Sequence, residues 1–273
     1  MSGLYKALLQ DRLARISGGL FAFFIVWWAA LQILDSSHEQ FQVWAALYQL
    51  IALYGGIVGF FIAKQWGGFR SMMGRAILMF SIGLLCESFA QIAGSYLVWS
   101  VGTVPYPSLS DVGAFGALIF YAAAVTLLAY ASGAHVSLRG YKGKLLLLLI
   151  PFIILGASYT IFLRTYDFDW SQPLITFLDI GYPLGEAIYV SIAILAYLLS
   201  RNTLGGVMRI PILFFIAALV SEYTADFLFL YNAHAGTPYV LGCVNDLLFI
   251  VSYALMAISL IQLGVVSRWI NES

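Results

Sequence analysis

Glu87, Glu186, Glu222 and Asp226 are carboxylic acids set inside long apolar stretches of a 273-residue chain. An ionisable side chain at membrane depth is costly, faces protein or water, and is a functional candidate by default. The same stretches carry no Lys or Arg at matching depth. Each acid is therefore expected to be protonated, to be hydrogen-bonded by a group such as Tyr96, Tyr121, Tyr189 or Tyr253, or to pair with a bound cation or the cationic group of a ligand. Mostly neutral carboxyls are expected in the resting protein.

The spacing of the acids adds a second signal. The pattern from Glu87 to Asp111 returns from Glu222 to Asp246, both carboxylates shifting by 135 residues, with Gln91 standing where the later copy has Asp226. Each copy crosses a short loop, the first with Pro105 and Pro107 and the second with Gly236 and Pro238, before an apolar helix resumes. A related helix start, Thr176 to Gly181, places Asp179 between Asp111 and Asp246. Ser108-x-x-Asp111 and Thr176-x-x-Asp179 also fit a capping box, in which side chains satisfy the free N–H groups of a helix start, and an acid there complements the helix dipole. Cys243 replaces the hydroxyl residue before Asp246, so capping explains that acid least. The candidate ligand- or ion-binding set is Glu87, Gln91, Asp111, Asp179, Glu186, Glu222, Asp226 and Asp246, with interhelical hydrogen bonding as the structural alternative for the Glu residues and capping for the Asp residues at helix starts.

The elements that must position these groups follow from composition. With 62% hydrophobic residues, 10% charged residues and a mean hydropathy of +0.92, the chain lacks the roughly 25% charged content of a soluble domain. A bilayer core about 30 Å thick needs about 20 apolar residues per helical crossing. Stretches of that kind cover about 18–34, 42–63, 76–99, 109–131, 145–163, 174–199, 210–231 and 239–265. The expected fold is all-α: one polytopic membrane domain over 1–273, its eight transmembrane helices arranged as four hairpins in parallel repeats (18–63, 76–131, 145–199, 210–265). Of the 13 Lys and Arg residues only Arg164 falls in a loop opposite the others. Because positive loops stay cytoplasmic, a multi-pass protein of the cell membrane with both termini inside is expected. Residues 1–16 suit a short amphipathic helix on the inner surface. Trp27, Trp28 and Trp44 suit interfacial anchors, Pro183 a kink in the sixth span, and Gly113, Gly116, Gly181 and Gly185 close helix packing.

Other chemistries find little support. Two cysteines, Cys86 and Cys243, form no disulfide framework or metal cluster by count. His38, His135 and His234 fall in loops, away from the depth of paired haem ligation, and no Lys lies where a retinal Schiff base would need one. Nucleophile, zinc-protease and phosphate-loop motifs are absent, so an enzyme is unsupported. No basic arm suggests nucleic acid, and the cofactor is unknown.

Pro107-Ser108-Leu109-Ser110-Asp111, followed by an apolar helix, resembles the Pro-Ser-x-Ala-Asp helix starts in multi-span N-terminal membrane domains of bacterial and archaeal diguanylate cyclases and histidine kinases; Asp179-x-x-Tyr182-Pro183 and Asn245-Asp246 are similar. The resemblance implies a sensor-like membrane domain. Here only five residues follow Arg268, which departs from that group and implies a signal passed to a separate partner protein. The expected function is a sensory or scaffold module that binds an apolar or amphiphilic ligand, such as a lipid, between helices. A proton- or cation-coupled transporter or channel is the alternative, and a lipid-modifying enzyme the third.

The charge asymmetry predicts that a cysteine introduced at Gly140, in a chain lacking Cys86 and Cys243, is shielded from impermeant thiol reagents in sealed cells and reacts after lysis. Labelling from outside would reverse the assigned topology.

Overall fold

The computed structural model describes residues 2–34, 36–133, 140–164, 169–200, 208–234 and 240–272. His135, Gly236 and Pro238, used above for the loops, lie outside these residues. The described chain is all-helical: α1 (Ser2–Gln10), α2 (Arg12–Ile33), α3 (His38–Leu47), α4 (Leu50–Gln65), α5 (Met72–Val101), α6 (Leu109–Ala131), α7 (Tyr141–Ser158), α8 (Pro173–Ser200), α9 (Arg209–His234) and α10 (Val244–Glu272). Eight helical lengths among the described residues are long and apolar enough to cross a membrane, and each overlaps one of the eight expected stretches, the last running Val244–Asn271 instead of 239–265; α3 and α4 together make the second. A turn at Tyr48 and Gln49 divides that second span, a break that its unbroken apolar run does not announce.

Local chemistry sets the helix ends. The Asp11 carboxylate accepts from the backbone N–H groups of Leu13 (2.9 Å) and Ala14 (3.2 Å). This cap starts a new helix at Arg12, so the expected surface helix over 1–16 ends at Gln10. Gly67 and Gly68 take positive φ angles of 86° and 55°, a left-handed turn that glycine adopts without a steric penalty. Ser71 then caps α5 by accepting from the Gly74 N–H at 2.8 Å. At Ser108 the expected capping box forms with Asp111. At Thr176 it does not: α8 begins three residues earlier, at Pro173, and the Thr176 hydroxyl donates to the Asp169 carbonyl at 2.8 Å. The Asp169 carboxylate orders the preceding turn, accepting from the Ser171 N–H at 3.0 Å and its hydroxyl at 2.6 Å. Hydrogen bonds from the Ser171 side chain and backbone, then from Gln172, hold its carboxyl below the usual carboxylate range.

The core joins distant parts of the chain. Helices α4, α5, α6, α8, α9 and α10 follow one another round a ring, with α10 meeting α4; α2 lies against α10 and α4, and α7 against α8. The last span is the most enclosed, with 78% of its apolar window buried, whereas the fifth has 6% and the first 17%. The two peripheral spans therefore present most of their apolar surface outward, as lipid contact requires. Arg268 near the end of α10 pairs with Asp11, and the Trp66 indole N–H donates to the Leu263 carbonyl at 3.0 Å. Both termini therefore lie at one end of the bundle. Trp44 departs from the anchor role: it is fully buried, and its indole N–H donates to the Phe24 carbonyl at 3.1 Å. Helix α8 continues through Pro183.

Close approach of α5 and α6 depends on glycine. A Cβ on Gly113 would stand 2.7 Å from the Ala90 nitrogen and from the Cys86 carbonyl oxygen, both backbone atoms that cannot move aside locally; at Gly116 it would meet Cys86 Sγ at an ordinary 3.5 Å. Gly113→Ala is thus predicted to destabilise the protein by about 1–3 kcal/mol through overpacking. Gly116→Ala should be neutral or stabilising by up to about 1 kcal/mol, from helix propensity. Thermal unfolding in detergent checks both; equal behaviour of the two variants would remove the packing explanation.

Candidate functional site

One face of α8 carries Ile175, Asp179, Tyr182, Glu186 and Tyr189, alternately four and three residues apart, the spacing that stacks side chains on one side of a helix. Asp111, Ala114, Leu118 and Tyr121 do the same on α6. These two stripes, with Glu87 and Gln91 of α5, Glu222, Asp226 and Phe229 of α9, and Phe249 of α10, enclose a cavity of about 580 Å³. Val104, Pro105, Tyr106 and Ser108 line its loop end. Seven of the eight candidate residues share this cavity: Glu87, Gln91, Asp111, Asp179, Glu186, Glu222 and Asp226.

Asp246 is the exception. It is buried near the start of α10, where its carboxylate accepts from the Gly242 N–H at 2.6 Å and from the Tyr48 hydroxyl at 3.3 Å. Capping therefore accounts for Asp246 despite the loss of a hydroxyl residue at 243, because the carboxylate reaches back one residue further. Asp111 and Asp179 are also tied to tyrosines of a neighbouring segment. Tyr182 donates to Asp111 at 3.0 Å, and Tyr106 donates to Asp179 at 2.7 Å. These two bonds stitch the loop end of α6 to α8 and fix the upper wall of the cavity.

The deep acids lie about 20 Å from the loop end, as the rise of α5 from Glu87 to Val101 implies. Glu87, Glu186 and Glu222 are buried, and Asp226 is half-buried. The Glu87 carboxyl meets that of Glu222, and Glu186 meets Asp226, each pair in hydrogen-bonding contact. A hydrogen bond within either pair needs a proton on one of its two carboxyls. From α10, the Tyr253 hydroxyl donates to Glu87 at 3.2 Å and the Ser252 hydroxyl donates to Glu222 at 3.0 Å. Glu87 thus finds its hydroxyl partner on α10 rather than on α6, the helix that follows it in sequence. Of the four expected tyrosine partners, Tyr253 is a donor to Glu87, Tyr121 and Tyr189 line the cavity, and Tyr96 is exposed and takes no part.

Beneath the acids, toward the end that carries the termini, Phe80 and Phe215 stack at 4.1 Å with their planes 10° apart. Ser110 donates to the Ala90 carbonyl at 2.7 Å, and Asn245 donates to the Ala225 carbonyl at 2.8 Å. Cys86 and Cys243 are free thiols, each half-buried. Among the described residues no group of three or more His, Cys, Asp or Glu side chains is placed to hold a metal ion.

No model of a protein family, no curated protein and no solved structure matches this chain. The chemistry of the cavity is therefore the guide to its use. Sequence reasoning missed Tyr106, Ser252, Phe229 and Phe249. It also missed the pairing of Glu186 with Asp226, which joins α8 to α9. The stripe from Ile175 to Tyr189 was a readable signal, since two acids and two tyrosines recur on one helical face.

Tyr253→Phe removes one hydroxyl bond to Glu87 and is predicted to cost about 1 kcal/mol. Glu87→Gln and Glu222→Gln keep hydrogen-bonding capacity and should cost a similar amount, about 1 kcal/mol, while flattening the dependence of thermal stability on pH. Coincident pH profiles for wild type and both variants would show that no proton exchanges at this pair.

Proposed function

We propose that this protein is a membrane binding module that holds an amphiphilic ligand between its helices and presents the occupied state to a partner protein. The single observation that carries this reading is the combination, in one cavity of about 580 Å³, of a deep acid cluster with apolar walls from Ala114, Leu118, Ile175, Phe229 and Phe249. Pockets of this size, largely apolar with a few convergent polar groups, suit small ligands. The basic end faces the cytoplasm in this proposal, so ligand reaches the cavity from the opposite side and the partner docks at the end where Asp11 pairs with Arg268.

A two-copy organisation belongs to the same proposal. Supporting it, Phe80 stacks on Phe215 and Glu87 meets Glu222, each pair 135 residues apart, and the Ser110–Ala90 and Asn245–Ala225 hydrogen bonds are related by the same shift. Two copies that face each other across one axis would bring their central acids together at that axis. Copies of two spans each keep the same direction through the membrane.

Proton-coupled transport is favoured by one observation, the meeting of the carboxyls in two pairs. The Phe80–Phe215 stack below them favours a site entered from one end.

Ala114→Trp fills the cavity from its wall while leaving every acid in place. Mass spectrometry of small molecules extracted from purified protein is expected to find an amphiphile with the wild type that is lost from the folded variant. Identical extracts from both would overturn the binding reading. Proton flux in proteoliposomes that disappears with Glu87→Gln would replace it with transport.

A further inference from the structure

We infer that the ligand head recognised in this cavity is a primary ammonium group, held by the acid cluster together with the hydroxyl of Tyr121; this rests on the binding reading above.

The charge of the lining sets the class. Among the described residues six carboxyl side chains line the cavity, Glu87, Asp111, Asp179, Glu186, Glu222 and Asp226, and no Lys, Arg or His does. A phosphate or carboxylate head would be repelled at every depth, which excludes anionic lipids and disfavours a phosphate-bearing zwitterion. A cationic head is attracted throughout, and within low-dielectric walls that attraction is strong.

Tyr121 supplies the second, independent observation. It is 1% exposed, it lines the cavity, and its hydroxyl oxygen has no hydrogen-bond partner. A buried hydroxyl left unmatched costs about 1–3 kcal/mol, and most buried polar side chains avoid that cost by finding a partner. The ring is fixed from two sides: it meets Phe80 and Tyr189 with centroids 6.3 Å and 6.1 Å away. A Cβ on Gly83 would lie 2.3 Å from its ring edge, so the glycine makes room for the ring. The hydroxyl is held among the acids without being consumed by them. Ser252 and Tyr253, by contrast, already give their protons to Glu222 and Glu87.

An ammonium group with three N–H donors matches this set. Two donors reach one carboxyl from each pair, and the third reaches the Tyr121 oxygen, whose proton can turn toward a remaining carboxyl oxygen. A quaternary ammonium has no N–H to give and leaves the tyrosine unmatched. The apolar walls leave room for an alkyl tail directed toward the loop end.

The test uses the full chain in phosphatidylcholine nanodiscs, with saturation-transfer NMR and thermal shift as readouts and octylamine, octyltrimethylammonium and octanol as probes. Octylamine is expected to bind saturably and at least about tenfold more tightly than either other probe, the difference that one charge-assisted hydrogen bond supplies. Tyr121→Phe, which keeps the ring and its packing, should reduce octylamine affinity about tenfold and leave octyltrimethylammonium unchanged. Equal binding of octanol and octylamine would overturn the ammonium assignment while leaving the cavity as a binding site. Equal binding of octylamine and octyltrimethylammonium, or a Tyr121→Phe variant that matches wild type on all probes, would overturn the role of N–H donation. Absence of saturable binding by every probe would overturn the binding reading itself. With octylamine bound, octadecylamine dissolved in the disc distinguishes the source: competition assigns a membrane-borne amine, and lack of it a water-borne one, each outcome upholding ammonium recognition.

Discussion

Four carboxyl groups meet in the interior of this bundle, with no basic side chain among the described residues lining the same cavity, and much of the surrounding architecture answers that constraint. An isolated carboxylate in an apolar medium is too costly to persist. Here the acids meet in pairs, Glu87 with Glu222 and Glu186 with Asp226, an arrangement in which one proton can serve two carboxyls, and Ser252 and Tyr253 supply hydroxyl donors. The Glu87 contacts join α5 to α9 and α10, far away in sequence, while Glu186–Asp226 and Ser252–Glu222 join successive helices, so the acids also act as clasps among α5, α8, α9 and α10. Replacing them all with apolar residues could preserve or raise stability, as it does for many buried polar networks.

The aspartates at helix starts solve a smaller problem with one device. Asp111, Asp179 and Asp246 each accept a tyrosine hydroxyl from a different segment, Tyr182, Tyr106 and Tyr48 respectively. Asp111 and Asp246 also accept from backbone N–H groups at their own helix starts. At Asp111 and Asp246 one carboxylate oxygen caps the helix and the other braces a neighbouring segment. For Asp111 and Asp179 this leaves the carboxylates at the loop end of the cavity, and for Asp246 it leaves the group outside it.

The spans were plain in the sequence because long apolar runs have few alternatives in a chain of this composition, and the depth of Glu87, Glu186 and Glu222 followed from their place within those runs. The Ser108 cap was readable from local chemistry. The direction in which each acid faces was not, because Glu186 reaches Asp226 through the packing of α8 on α9 rather than through any spacing along the chain. Trp44 shows the same limit: its composition suits an interface, but the fold of α3 against α2 buries it. At Thr176 the local motif was present and lost, since the helix starts earlier, at Pro173, and carries the chain past the motif before it can act.

The Phe80–Phe215 stack also has an electrical meaning. A cavity filled with water from the loop end to the acids would extend the potential of that aqueous phase to mid-membrane, and the aromatic pair would form part of the insulating layer that remains. Most of a transmembrane voltage would then fall across the thinner half of the bundle beneath the stack. A full crossing is worth about 2.3 kcal/mol per elementary charge at 100 mV, but a cation reaching Glu87 from the loop end would traverse little of that drop. Its occupancy would follow its concentration outside the cavity and stay nearly indifferent to the energised state of the membrane.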